Sequence, residues 1–277
     1  MTRSPAERPS GAPDAAAAAR RTVIAGYSAP ESLRAYRSLG LLPAEEILIA
    51  RYFPRRGRIL DLGCGAGRTS IPLWRRGYRV DAVDLTPALI AEARRLATDY
   101  RAEIDFRVMD ATDLRFADGT FDAALFAFNG LDHVRGRAGK RAALTEVCRV
   151  LRPGGPLLFS THALACRSRE ARLWRREAVR RGLGRWLGLG RTGRGEREPG
   201  ELYTDLGPDL SYLHLLPRRA WLALLAEAGF RVEDHARAST VERGRPLGAL
   251  ARWVRDDDYL YYVARRPAET AAVAGQC

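Results

Sequence analysis

The sequence predicts an α/β protein built on a doubly wound, mostly parallel sheet with helices on both faces. Three observations carry that expectation. From Arg58 onward, short apolar runs alternate with amphipathic segments of helical length. A glycine-rich loop follows the first of these runs directly, in Ile59-Leu60-Asp61-Leu62-Gly63-Cys64-Gly65-Ala66-Gly67-Arg68. Three successive strands then end in an acid, Asp61, Asp84 and Asp110, which puts all three at the edge where open α/β sheets bind ligands.

Taken in order, residues 1–22 are small, Pro-rich and without periodicity, and read as a flexible leader. Residues 23–56 read as an N-terminal helical cap, with helix starts at Pro30 and Pro43 and with Leu33, Tyr36, Arg37 and Gly40 at helical spacing. The core spans 57–163. Its strands are expected at 58–62, 79–84, 104–109, 121–128 and 156–160, and its helices near 67–76, 87–99 and 138–150. An Arg-rich insertion, a lid at 164–216, comes next. Leu173, Trp174, Val179, Leu183, Trp186 and Leu187 suggest an amphipathic helix there, followed by a Gly/Arg loop from Gly188 to Gly200. Residues 217–266 return to the sheet. A helix opens at Pro217, buries Trp221, Leu224, Leu225 and Ala228, and ends at Gly229, with strands at Phe230–Val232 and 258–265. Residues 267–277 read as a loose tail.

Composition narrows the class. In 277 residues there are 46 Lys+Arg and 33 Asp+Glu, a formal net charge of +13, and Lys140 is the sole lysine. Residues 165–200 hold eleven arginines and four glutamates, a net of +7, so more than half of the surplus is local. Such a cluster is a solvated helix face, a cover over an anionic acceptor, or a grip on RNA phosphates. No run of about 18 apolar residues is present to span a membrane. The Ala/Pro/Ser-rich stretch Met1–Arg20 does not read as a secretory signal. Cys64, Cys148, Cys166 and Cys277 lack the paired spacing of a disulfide framework or a zinc site, which fits a reducing cytosol.

The glycines permit positive φ and let a ligand approach the backbone with no Cβ in the way. Their spacing is G-x-G-x-G. Arg68 holds the place of the last glycine in a dinucleotide fingerprint, so a pyrophosphate cradle is disfavoured. Asp84 lies 23 residues after Asp61, the distance at which an acid accepts hydrogen bonds from ribose hydroxyls. A strand-end Asp alone often caps the following helix; three together beside this loop exceed that explanation.

These motifs, DLGCGAG (61–67), VDAVD (80–84), MDATDL (109–114), FDAALFAFNGLDHV (121–134) and EVCRVLRPGGPLLFS (146–160), resemble those of the class I S-adenosylmethionine-dependent methyltransferases. The resemblance covers 57–163 and extends to 217–266 by texture. It implies a Rossmann-like, seven-stranded sheet whose final strand is antiparallel, and S-adenosyl-L-methionine as cofactor. It places Gly63, Gly65 and Gly67 along the methionine part, with Asp61 ordering the amino-acid end through hydrogen bonds. Asp84 would hold the ribose, and Asp110 with Ala111 would read the adenine. Cys64, Leu85, Phe128 and Asn129 join the implied cofactor contacts, and Tyr27 or Arg37 would touch it from an N-terminal lid.

Methyl transfer from a sulfonium mainly requires positioning and water exclusion, while a hydroxyl acceptor also requires a base. His133, His162 and His214 are the acceptor-side candidates. In the family, a histidine at the His133 place often shapes the pocket; His162 and His214 are the better acceptor contacts, and His235 reads as structural or surface. Asn129, His133 and His162 faintly resemble the pattern of glycine/sarcosine-type methyltransferases. The chain lacks both the Asn/Asp-Pro-Pro-aromatic motif of enzymes that methylate exocyclic amines of bases and the Pro-Cys of cytosine C5 enzymes. The expectation is a cytosolic enzyme of specialised metabolism, monomer or homodimer, that methylates an O or N atom of a small-molecule acceptor. An RNA methyltransferase, other chemistry with the same cofactor, and a non-enzymatic scaffold stay open as alternatives.

Overall fold

The structure, a computed structural model, describes residues 15–31, 33, 40–164, 171–176, 178–179, 198–204, 211–242 and 259–268. Within them the main sheet has seven strands: β1 (Arg58–Leu62), β2 (Arg79–Asp84), β3 (Asp105–Val108), β4 (Ala123–Phe126), β5 (Pro156–His162), β8 (Arg231–Arg237) and β9 (Tyr259–Arg265). Their spatial order is β3-β2-β1-β4-β5-β9-β8. The first five run parallel, and β9 is antiparallel to both neighbours. The order reverses between β1 and β4, the switch point at which such sheets open a crevice.

Alternation along each strand builds the two faces. Leu60, Leu62, Ala124, Phe126, Leu157, Phe159, Tyr262 and Ala264 bury toward one side, against α5 (Gly136–Val150) and α6 (Arg218–Glu227). Ile59, Ala123, Leu125, Leu158, Tyr261 and Val263 bury toward the other, against α2 (Pro43–Tyr52), α3 (Ser70–Arg75) and α4 (Pro87–Tyr100). On the first side, Phe159 stacks on Tyr262 at 4.9 Å and meets Trp221 of α6 at 5.4 Å. No described helix is long and apolar enough to cross a membrane.

Three departures from the sequence reading matter for the site. Helix α1 (Ala15–Ser28) occupies the end of the segment read as a flexible leader; residues 1–14 lie outside the described residues. Its alanine run has the highest helix propensity of any residue type, and Ala19 and Val23 gain burial against Tyr212. The insertion also contains a small antiparallel hairpin, β6 (Glu201–Thr204) with β7 (Ser211–His214), which the sequence reading did not anticipate. Gly200 before it has φ +97°, and a Cβ there would come within 2.3 Å of the Leu215 carbonyl. Finally, β3 ends at Val108, so Asp110 stands two residues past its strand. In the Arg-rich segment, residues 171–176 and 178–179 are helical, whereas Leu183, Trp186, Leu187 and most of the Gly/Arg loop lie outside the described residues. Trp174 packs on the hairpin's leucines and donates its indole N–H to the Leu215 carbonyl at 3.2 Å.

Trp221 is fully buried between Phe159 and Tyr262. Trp221→Ala is expected to cost about 3–5 kcal/mol, read as a shifted urea midpoint with unchanged slope. A loss below about 1 kcal/mol would show that this layer does not hold the two halves of the sheet together.

Candidate functional site

The turn after β1 is built by backbone geometry. Gly63 and Gly65 sit at φ +59° and +57°, where a side chain is strained. A Cβ on Gly63 would also lie 2.8 Å from the Phe126 ring. Asp84, at the end of β2, ties the turn down. One oxygen accepts the Gly65 N–H at 2.9 Å and the other accepts the Thr86 N–H at 2.8 Å. Burial pushes its carboxyl pKa up, and the backbone donors pull against that shift.

Gly63, Cys64, Gly65, Asp84 and Leu85 line one cavity of about 160 Å3 together with Asp110, Ala111 and Phe128. Tyr27 and His133 complete its wall. These ten sequence-predicted residues therefore come together. Cys64 is buried, and burial with the nearby Asp84 and Asp61 carboxylates raises its thiol pKa, so it is a wall rather than a nucleophile.

Five predicted residues stand elsewhere. Asp61 lies beneath the loop. Its Oδ2 accepts the hydroxyls of Thr69 and Ser70, each at 2.6 Å, while its buried Oδ1 has no partner among the described residues. Burial raises Asp61 to about 6. Gly67 faces Phe106 and Ile71 and serves packing rather than the cavity wall. Asn129 is buried at φ +61° and donates its backbone N–H to the Ser160 hydroxyl at 3.0 Å. His162, at the end of β5, sits beside the wall with its ring on Asp132. His214, at the end of β7, is fully buried, and its Nε2 donates to the Pro199 carbonyl at 3.3 Å. Its neighbours Tyr212, Leu213 and Leu215 are buried with it. Arg37 lies outside the described residues.

Helix α1 covers the cavity with Ala16, Ala19, Arg20, Val23 and Tyr27, one helical face. Arg20 Nε sits 2.6 Å from Asp110 Oδ2, while Asp110 Oδ1 accepts the N–H and O–H of Thr112, each at 2.8 Å. Tyr27 and His133 meet at 2.8 Å, and His133 Nδ1 lies 3.0 Å from the Tyr212 carbonyl. A carbonyl only accepts, so Nδ1 carries the proton and Nε2 accepts the Tyr27 hydroxyl.

Sequence reading missed Arg20, Arg68, Asp132 and Lys140. Arg68 registered only as a displaced glycine. Its guanidinium lies 5.0 Å over the Phe128 ring and pairs with the buried Glu45 at 2.8 and 2.9 Å. Asp132 had a visible signal, a carboxylate next to His133 after a strand. Lys140, the sole lysine, had one in its rarity.

Comparison with known proteins agrees with this architecture. Residues 59–155 match a family model described as a methyltransferase domain. A ubiquinone biosynthesis O-methyltransferase of Xanthomonas axonopodis is 36% identical over 117 residues, 42% of this chain and 47% of that protein. A demethylmenaquinone methyltransferase of Beutenbergia cavernae is 41% identical over 107 residues, 38% of this chain and 41% of that protein. The chain thus spans about half the length of the curated relatives it matches, or less. A methyltransferase structure from Methanosarcina mazei superposes with a TM-score of 0.62 at 22% identity, covering 83% of this chain and all of the other. A Burkholderia thailandensis 1,6-didemethyltoxoflavin N1-methyltransferase, with its substrate and S-adenosylhomocysteine bound, gives 0.57 at 22% identity over 95% and 94% of the two chains. At these identities the structural likeness is one of fold.

The buried titratable groups set an acid response. Burial lowers His133 to about 4 and His214 to about 3 from the ordinary 6.5, so the unfolded chain takes up protons that the fold refuses. Their contribution is complete above pH 6.5 and is lost as pH falls. Asp61, raised to about 6 from 3.8, acts oppositely and offsets one histidine between pH 6 and 4. Asp84, also raised, opposes them further, so stability is expected to fall by up to about 1.4 kcal/mol per pH unit over that window, and His214→Gln should flatten the slope. Urea titrations showing wild-type stability constant or rising toward pH 4 would contradict this assignment.

Proposed function

We propose that this chain, whose residues 59–155 match a methyltransferase-domain model, is a class I S-adenosylmethionine-dependent enzyme that moves a methyl group to an oxygen or nitrogen atom of a small molecule. The observation that carries the reading is the cavity in which the glycine turn, Asp84 and Asp110 converge under α1. The donor fits the residues present. Asp61 leaves a buried oxygen without a partner among the described residues, beneath a turn whose Gly63 and Gly65 keep side chains away. Asp84 is nine-tenths buried yet open to the cavity, where a carboxylate accepts paired hydroxyls well.

When bound, S-adenosylmethionine supplies a methyl group already activated toward in-line attack. The chain's own part is placement. Asp84 would hold the ribose, Asp110 and Ala111 the adenine, and the Cys64–Gly65 backbone the amino-acid end. Leu85 and Phe128 wall the cavity with apolar surface, and α1 excludes water from above. His133, pinned by Tyr27 and Tyr212, shapes the wall. The O-methyltransferase names among the relatives support a small acceptor and an oxygen atom on it.

Calorimetry with S-adenosylhomocysteine tests this. The chain should bind it with a measurable heat, and Asp84→Ala should weaken binding at least about tenfold, roughly 1.4 kcal/mol. Unchanged affinity in the variant would refute the ribose role, and no binding by the parent chain would refute the donor.

A further inference from the structure

Next to the cavity-lining Gly130 and His133, and outside the lining itself, stands a pair of titratable side chains that donor binding does not use. Asp132 lies in the 3-10 turn Gly130–His133 and is 1% exposed. Its Oδ2 accepts the backbone N–H of His162 at 2.9 Å and the ring Nδ1–H at 2.7 Å. The carboxylate can only accept, so Nδ1 carries a proton, and in the neutral form of the ring the lone pair lies on Nε2. Nε2 has no hydrogen-bond partner among the described residues, and the side chain is 14% exposed. The turn is held from its other side by Lys140, fully buried, whose Nζ donates to the carbonyls of Leu131 and Val134 and lies 5.4 Å from the Trp221 ring. A lysine is rarely placed so deep without a task for its donors.

We propose that Asp132 and His162 form a proton-accepting pair that suits the site to a hydroxyl-bearing acceptor, with Lys140 positioning the turn that carries the carboxylate. This deepens the methyl-transfer reading and rests on it. A neutral amine attacks with a free lone pair and sheds its proton afterward. A hydroxyl must lose its proton as the new bond forms. In the step, the acceptor oxygen bonds to the methyl carbon, the carbon–sulfur bond breaks with its pair on sulfur, and the hydroxyl proton passes to His162 Nε2. The imidazolium so formed stays against the Asp132 carboxylate until it returns its proton to solvent. His133 is not equivalent: its Nε2 already receives the Tyr27 hydroxyl, and its Nδ1 faces a carbonyl rather than a carboxylate.

The test reads the rings first. Long-range 1H–15N spectra of the full chain with S-adenosylhomocysteine bound, in mildly alkaline buffer, should show His162 as the Nδ1–H tautomer. Asp132→Ala should shift it to Nε2–H, and Lys140→Met should give a mixture, with S-adenosylhomocysteine affinity within about threefold in both. Should Asp132→Ala not fold, Asp132→Asn keeps an acceptor oxygen and removes the charge. Turnover is then compared on catechol and o-phenylenediamine, matched in shape. The expected product is the ether, with kcat about 100-fold lower in His162→Gln and Asp132→Asn and KM little changed. A wild-type Nε2–H tautomer, or N-methyl product formed equally fast by Asp132→Asn, would overturn the pair. Failure of the wild type to bind S-adenosylhomocysteine would instead strike the methyl-transfer reading and leave the tautomer result to stand by itself.

Discussion

The hydrogen bond from the Gly65 amide to the Asp84 carboxylate joins the loop after β1 to the end of β2, and the cavity depends on it. Parallel pairing brings the ends of these strands side by side, with Leu62 opposite Val83. Past that pair the Cys64 N–H still reaches the Val83 carbonyl at 3.1 Å, and the main-chain pairing between the two loops then stops. Asp84 takes over there by accepting from both loops at once, so their backbones turn away from each other and leave a crevice. The left-handed glycines make the turn possible, and Phe126 fills the space that a side chain on Gly63 would need.

The remaining walls come from distant parts of the chain. Tyr27 of α1 donates to His133 after β4, which donates to Tyr212 of the hairpin. The hairpin is itself docked, because the Tyr212 hydroxyl donates to Glu201 and accepts the Gly136 N–H at the start of α5. Three segments from separate regions of the sequence therefore meet at one imidazole. That convergence explains why the ring is neutral and oriented: burial disfavours its charge, and a carbonyl fixes its tautomer.

Buried charges recur around the site. Arg68 with Glu45 and the amine of Lys140, which burial lowers to about 7, each give up hydration for fixed partners. Such groups contribute little net stability compared with apolar replacements, but they allow few alternative arrangements. Glu45 reaches the Leu42 amide as well as Arg68, which locks α2 to the helix that follows the glycine turn. Here they orient loops that apolar packing alone would leave free to shift.

Local patterning determined the strands and the three acids. RILDL and RVDAVD match β1 and β2 residue for residue, because a strand buried on both faces must be a short apolar run ended by a polar turn. Gly63, Gly65 and Asp84, which line the cavity, were placed for the same reason, since they follow or end those strands. Tertiary structure alone decided what covers the edge. Helix α1 is formed by an alanine run, but its place over the edge is set by the burial of Ala19 and Val23 against Tyr212. His214 is read from the sequence as an acceptor contact, and its full burial is visible only in the fold. Asp132 and His162 are thirty residues apart, and their pairing exists only because β4 and β5 lie side by side. Periodicity records which way a residue faces within its own element. Which element it then meets is a long-range contact, set by the closing of the whole sheet.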